Sequence, residues 1–198
     1  MIAQWLTHLA FALVLFLILS SWTSSQRWRL AILAGASLAS VVSIDGLSLA
    51  SYVRSLSDDL AIPSLVGLVW LTAQRLGFVQ PLEAPQRLLV LSVLAALALV
   101  LYPATLGITY FDPYRWGFNP RPMIIAVGVL TLVLLYLRSH LGALMLALAT
   151  LAFTFRIKPS ENYWDYLIDP FLALYGCIAL LVFVVRRLYR SYSQPGNA

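Results

Sequence analysis

The sequence predicts an all-α integral membrane protein with about seven transmembrane helices, two of them short, and one amphipathic helix at the membrane interface. Three observations carry this prediction: 61% of the 198 residues are hydrophobic, only 11% are charged, and the mean hydropathy is +0.86. Soluble domains contain roughly a quarter charged residues, and each crossing needs about 20 mainly apolar residues. We therefore predict a single polytopic transmembrane domain, 1–198.

Seven apolar runs, separated by polar links or prolines, are the predicted spans. No positive charge precedes the first run, so we interpret it as an uncleaved span rather than a signal peptide. Two later runs cover only about 23 Å at ~1.5 Å per residue, so 123–155 forms either two short spans or a hairpin that does not fully cross. The predicted spans are 5–22, 30–44, 62–77, 88–103, 123–137, 141–155 and 169–185.

The second run carries small residues at four-residue spacing. Ala31, Gly35 and Ala39 lie on one face of a helix, and small side chains at this spacing let two helices approach closely. We expect this face to pack against another helix.

An amphipathic helix is predicted over 46–60. Asp45 and Gly46 interrupt the second run and are residues that can cap a helix. The apolar residues that follow, Leu49, Val53, Leu56 and Leu60, recur at helical spacing, with polar residues elsewhere around the helix. This pattern is typical of a helix that lies in the interface rather than crossing the membrane.

The basic residues predict the orientation. Seven crossings create two alternating sets of loops: one carries eight Arg and one acid, the other five basic residues and seven acids. Arg and Lys concentrate on the cytoplasmic side, so we expect the amino terminus outside and the carboxyl terminus in the cytoplasm. Every basic residue except Lys158 is Arg, which favours a GC-rich bacterial genome and hence the bacterial inner membrane.

Three polar stretches, 45–59, 109–122 and 156–169, fall on the predicted extracytoplasmic face. Trp and Tyr at an interface often form a belt with no binding role. Aromatic rings beside carboxylates, amides and guanidinium groups can instead hold a sugar or a phosphate head group, whereas salt bridges among the same groups would only order the loops. The candidate binding residues are Asp112, Arg115, Trp116, Asn119, Arg121, Glu161, Asn162, Trp164 and Asp165.

Several function classes lack their sequence signals. His8 and His140 fall at opposite ends of the predicted bundle and Cys177 is the only cysteine, so we predict no metal site, no cofactor and no disulfide within the chain. The Arg residues lie singly or in pairs beside apolar runs, where they anchor to lipid head groups rather than to nucleic acid. The centres of the runs contain no charged residue, which disfavours ion-coupled transport.

Two interpretations of function remain. The first is a noncatalytic accessory or scaffold subunit of a cell-envelope assembly, which binds another membrane or envelope protein through its outer loops and small-residue helix faces. The alternative is an enzyme or binder acting on a lipid or a lipid-linked sugar phosphate at the outer face. The residues contain no catalytic set that decides whether the chain is an enzyme.

Overall fold

The computed structural model describes residues 2–192, with the side chains of 2, 3, 56, 57 and 190–192 excepted, and 76% of the chain is helical. The all-α prediction is confirmed at this level. Short 3-10 turns at Ser20–Trp22 and Pro113–Phe118 and a two-stranded hairpin complete the described elements. The helices are α1 Ile2–Leu19, α2 Gln26–Val41, α3 Leu49–Ser57, α4 Ile62–Arg75, α5 Ala84–Thr105, α6 Arg121–Tyr136, α7 His140–Thr154, α8 Trp164–Leu167 and α9 Pro170–Tyr192.

Three helical segments are long and apolar enough to cross a membrane. They are Gln4–Trp22, which is α1 with its terminal 3-10 turn, Ala84–Thr105, which is α5, and Pro170–Tyr189, which forms most of α9. The shorter apolar helices α6 and α7 have 16 and 15 residues, or about 23 Å each at ~1.5 Å per residue. Seven crossings stay a prediction, and so does the way in which 123–155 meets the membrane.

A β-hairpin occupies the start of the predicted amphipathic helix. Strands β1 (Ser43–Ile44) and β2 (Leu47–Ser48) pair in antiparallel register around Asp45 and Gly46, whose φ angles are +50° and +83°. Asp-Gly with two positive φ values is the preferred two-residue hairpin turn, so these residues reverse the chain instead of capping a helix. The helix therefore begins at Leu49 rather than 46 and ends at Ser57 rather than 60.

Ser48 caps this shorter helix. Its hydroxyl accepts a hydrogen bond from the backbone N–H of Ser51 at 3.1 Å, which satisfies one of the donors that every helix start leaves unpaired.

The helices pack in neighbouring pairs around three clusters of buried apolar side chains, the largest of which is formed by α4 to α9. α1 packs on α2, α6 on α7, α4 on α7, and α5 on α9. At the last of these contacts a Cβ on Gly176 would lie 2.9 Å from the Cβ of Leu94, so only a glycine permits this approach. The largest fully buried side chains include Tyr163 and Tyr166, which anchor the loop before α9 in the core.

The small-residue face of α2 is not packed inside the chain. Ala31 and Gly35 are exposed, and a Cβ added to Gly35 would meet nothing within 4 Å. Ala39 is half-buried, so within the described part of the chain the expected close helix contact is absent at Ala31 and Gly35, and this portion of the face is open to a second molecule.

Contacts between helix termini define two ends of the bundle. At one end, named the loop end, the starts of α4 and α9 meet the loops 106–120 and 155–169. At the other, named the arginine end, Arg29 donates to the carbonyl of Arg75 at 2.7 Å and Gln86 to that of Arg138 at 3.4 Å.

Candidate functional site

The two long polar loops converge at the loop end. The backbone N–H of Tyr163 donates to the carbonyl of Gly117 at 3.1 Å, and the indole N–H of Trp164 donates to the carbonyl of Pro113 at 2.9 Å. Loop 106–120 and loop 155–169 are therefore joined directly, although Trp164 and Pro113 are 51 positions apart in sequence.

Asn162 is the main clamp between these loops. It is almost fully buried; its amide nitrogen donates to the carbonyl of Tyr114 and its amide oxygen accepts the N–H of Trp164, both at 2.9 Å. A Cβ on Gly117 would overlap the Asn162 side-chain oxygen and lie 2.6 Å from its Cγ. A glycine at 117 is thus required for this contact.

Asp165 adds hydrogen bonds from a tyrosine and a serine to the contact between the two loops. Its carboxylate accepts the Tyr114 hydroxyl at 3.2 Å through both oxygens and also accepts the Ser160 hydroxyl. Burial and the negative charge of Asp165 raise the pKa of Tyr114 to about 12. The phenol therefore stays a neutral donor over the physiological range, which is the form that this contact needs.

Lys158, the only lysine, is buried under the loops with 6% of its surface exposed. Its ammonium donates to three backbone carbonyls, those of Asp59 at 2.9 Å, Leu60 at 3.2 Å and Asp165 at 2.7 Å. These bonds use all three of its donors. Burial lowers the pKa of Lys158, against the attraction of the nearby Asp59 and Asp165 carboxylates.

Asp169 joins the starts of two helices. One of its oxygens accepts the N–H of Ala61 at 2.9 Å and the hydroxyl of Ser64, next to and within the first turn of α4. The other accepts the N–H of Leu172 at 2.8 Å in the first turn of α9. A carboxylate is favoured at a helix N-terminus by the free N–H groups and the helix dipole. Here the single carboxylate of Asp169 accepts hydrogen bonds at the N-termini of both α4 and α9.

Six of the nine predicted binding residues point to solvent instead. They make no ion pair with one another, so salt bridges among them do not order the loops. Asp112 accepts the N–H of Tyr114 at 3.1 Å, and Trp116 stacks edge-on against Phe111 with ring centres 5.1 Å apart. The exposed six are Asp112, Arg115, Trp116, Asn119, Arg121 and Glu161.

The predicted residues thus separate into two groups. Asn162, Trp164 and Asp165 are turned inward and hold the loops together. The exposed six include the Trp116 ring and lie on the two joined loops and the start of α6 with three further exposed aromatic rings, and we name this exposed surface the aromatic rim. Its rings are Tyr110, Phe111, Trp116 and Phe118.

An open cleft of about 500 Å³ lies near the start of α1 and along α3. Its polar lining includes Gln4, Arg54 and Asp58 and none of the nine predicted residues. Arg54 forms a bidentate ion pair with Asp59, with both N–O distances at 2.7 Å. Across the described residues, no three His, Cys, Asp or Glu side chains form a group that could hold a metal ion.

Sequence reasoning missed Lys158 and Asp169 as the buried charges that join distant segments at the loop end. Both looked like ordinary charges flanking a span, but each is buried and satisfied by hydrogen bonds to distant segments. One sequence signal was present: Lys158 is the single lysine in an arginine-rich chain, and the three donors of a compact ammonium suit three converging carbonyls.

The comparisons with known proteins found no match: no family model, no curated protein and no solved structure resembles this chain.

Proposed function

We propose that the chain is a noncatalytic, multi-pass subunit of the bacterial inner membrane whose loop end is a rigid docking platform for another envelope protein. One observation carries this proposal. The ionisable groups inside the loops are engaged by backbone and hydroxyl partners, while the surface above them presents exposed aromatic and Arg side chains. Aromatic residues and Arg are the residue types enriched in protein interfaces.

The rigidity of the platform supports docking over catalysis. Lys158, Asp165 and Asp169 direct their polar atoms at the protein itself rather than at solvent. A general acid or base must reach a substrate proton, and each of these groups is already hydrogen-bonded within the protein. A preformed surface also loses less conformational entropy on binding.

The proposed topology places the aromatic rim outside the cytoplasm. In this topology the bilayer is thinned around the shorter helices, and seven helices cross it: α1, α2, α4, α5, α6, α7 and α9. The greater number of Arg residues at the arginine end supports a cytoplasmic position for that end.

The open face of α2 supports a second contact with the same partner. Ala31 and Gly35 are exposed at four-residue spacing, beside Leu38, which is 70% exposed. In lipid, helices associate through small residues that let their backbones approach. A partner helix would therefore fit here while its outer domain lies on the aromatic rim.

Cross-linking in living cells tests the proposal. A photoreactive side chain at Trp116 or Phe118 is expected to capture one discrete protein, whereas the same group at Tyr136, an exposed aromatic residue in the last turn of α6, is not. The substitution Gly35→Leu should lower the yield of the cross-linked complex, because the larger side chain prevents a partner helix from approaching the exposed face of α2. A monodisperse chain with no cross-linked partner, whose deletion leaves every envelope assembly intact, contradicts the proposal.

A second candidate function is binding or turnover of a lipid-linked sugar phosphate at the loop end. The open cleft beside Arg54 favours it, because its polar lining and volume of about 500 Å³ fit the usual size of small-molecule sites. Arg54→Gln would then abolish binding of such a lipid, while Arg115→Gln and Arg121→Gln on the aromatic rim would not. Equal loss in all three variants would place the ligand on the rim instead.

A further inference from the structure

A groove between α5 and α9 opens at the arginine end, far from the aromatic rim. Its volume is about 790 Å³, and its walls are apolar side chains such as Leu88, Leu91, Val182 and Phe183. Deeper in the bundle the two helices close upon each other at Gly176 and Leu94. The groove therefore ends inside the apolar part of two helices that are each long enough to cross a membrane.

Three guanidinium groups stand at the open end of this groove. Arg87 comes from the first turn of α5, and Arg186 and Arg187 from the last part of α9. All three are exposed, and no acidic side chain in the described part of the chain pairs with any of them. Three unpaired charges around one opening leave a strongly positive site.

The start of α5 adds to this positive site. Ala84 and Pro85 line the groove, so the N-terminal end of a 22-residue helix faces it. The side chain of Glu83, which precedes the helix, does not cap it. The free N–H groups and the dipole of a helix start favour an anion, in agreement with the arginines.

We propose that this groove binds one anionic phospholipid, with its phosphate on Arg87, Arg186 and Arg187 and an acyl chain between α5 and α9. The planar fork of Arg matches phosphate oxygens through paired hydrogen bonds, and basic pockets between membrane helices hold lipid head groups. A free phosphate would leave the apolar walls uncovered, whereas a phospholipid covers both the walls and the charges. The site is independent of the proposed docking function.

The experiment uses the full chain purified in mild detergent, with bound lipid counted by native mass spectrometry. Phosphatidylglycerol is expected to bind at least about tenfold more tightly than phosphatidylcholine, a preference that charge-assisted contacts to one phosphate can supply. The double variant Arg186→Gln/Arg187→Gln should lose this preference. The matched control, Arg27→Gln/Arg138→Gln, removes the same charge from the same end outside the groove and should keep it.

A second variant separates a lipid from a simple anion. Ala179→Trp fills the apolar groove and is expected to abolish phosphatidylglycerol binding without changing any charge, with thermal unfolding in detergent alone as the check on folding. Soluble glycerol phosphate should bind at least about a hundredfold more weakly than the lipid because it covers no apolar wall. Equal binding of both lipids, equal loss in both double variants, or glycerol phosphate binding as tight as lipid would each overturn the proposal.

Discussion

The two ends of the bundle differ in whether their charged side chains are buried and hydrogen-bonded or exposed and without an ion-pair partner. At the loop end, Lys158 and Asp169 are buried, and each makes three hydrogen bonds, two of which reach the segment before and at the start of α4, about 100 residues away in sequence. At the arginine end, Arg87, Arg186 and Arg187 are exposed and have no acidic partner in the described residues. Charge holds the fold together at one end and remains available to a ligand at the other.

This difference follows from the cost of removing a charge from water. A buried ion is tolerated only when its hydrogen-bonding groups are satisfied, so the loop end is sensitive to the loss of any one partner. An exposed guanidinium retains its hydration, and its removal costs little stability. Substitutions at the two ends should therefore differ in kind: stability changes at the loop end and binding changes at the arginine end.

The largest effect is expected for Asp169→Ala. The change leaves three donors without an acceptor at the starts of α4 and α9 and should lower the free energy of unfolding by about 4 kcal/mol. Asp112→Ala, which removes an exposed carboxylate with one backbone partner, should cost less than about 1 kcal/mol. Thermal unfolding in detergent measures both, and similar losses would show that burial does not set the cost.

Lys158→Met should be the next most damaging change. The apolar side chain fills similar space but leaves the carbonyls of Asp59, Leu60 and Asp165 without their donor, which we expect to cost about 3 kcal/mol. Arg156→Met is the control because Arg156 is exposed in the same loop, and it should change stability by less than about 0.5 kcal/mol. An unaltered melting temperature for Lys158→Met would show that the buried ammonium does not stabilise the loop end.

A pair of glycine substitutions tests the clamp between the loops. Gly117→Ala forces a Cβ into Asn162 and should destabilise the chain by about 2 kcal/mol, as overpacking does. Gly128→Ala lies inside α6, where an added Cβ meets nothing within 4 Å, and should stabilise by up to about 1 kcal/mol. The opposite signs of two chemically identical changes are the readout, and a shared sign would contradict the clamp.

The smallest effect is expected for Tyr114→Phe. Loss of the hydrogen bond to Asp165 should cost about 1 kcal/mol near neutral pH. Because the pKa of Tyr114 is raised from 10.0 to about 12, its stabilisation is fully present below pH 10 and is lost as the pH rises toward 12. The stability difference between the variant and the parent chain should therefore shrink over that interval, and a constant difference would contradict the assigned contact.

The sequence was sufficient for what depends on periodicity and hydropathy. Apolar runs long enough to cross a membrane near 5–22, 88–103 and 169–185 correspond to three helices with that capacity. The Asp45–Gly46 pair was misinterpreted because the same residues suit a helix cap and a hairpin turn, and only the pairing of Ile44 with Leu47 decides between them. The local sequence alone therefore does not distinguish a helix cap from a hairpin turn at these two residues.

The candidate site was predictable only in part for a similar reason. The sequence identified the two polar loops but not which of their residues turn inward, since Asn162 and Asn119 are the same residue type in similar aromatic surroundings. Their burial depends on contacts between segments far apart, such as Asn162 with Tyr114 and Lys158 with Asp59. The exposed small-residue face of α2 likewise became visible only when the neighbours of Gly35 were known.

Side-specific labelling tests the proposed topology most directly, in which the loop end and the arginine end lie on opposite sides of the inner membrane with the aromatic rim outside. Single cysteines replace Trp116 and Arg187 in a Cys177→Ala background, and a membrane-impermeant maleimide is applied to cells whose outer membrane is permeabilised. We expect cysteine 116 to react at once and cysteine 187 only after the inner membrane is opened. Prompt reaction at 187, or protection of 116 until the inner membrane is opened, would contradict the account.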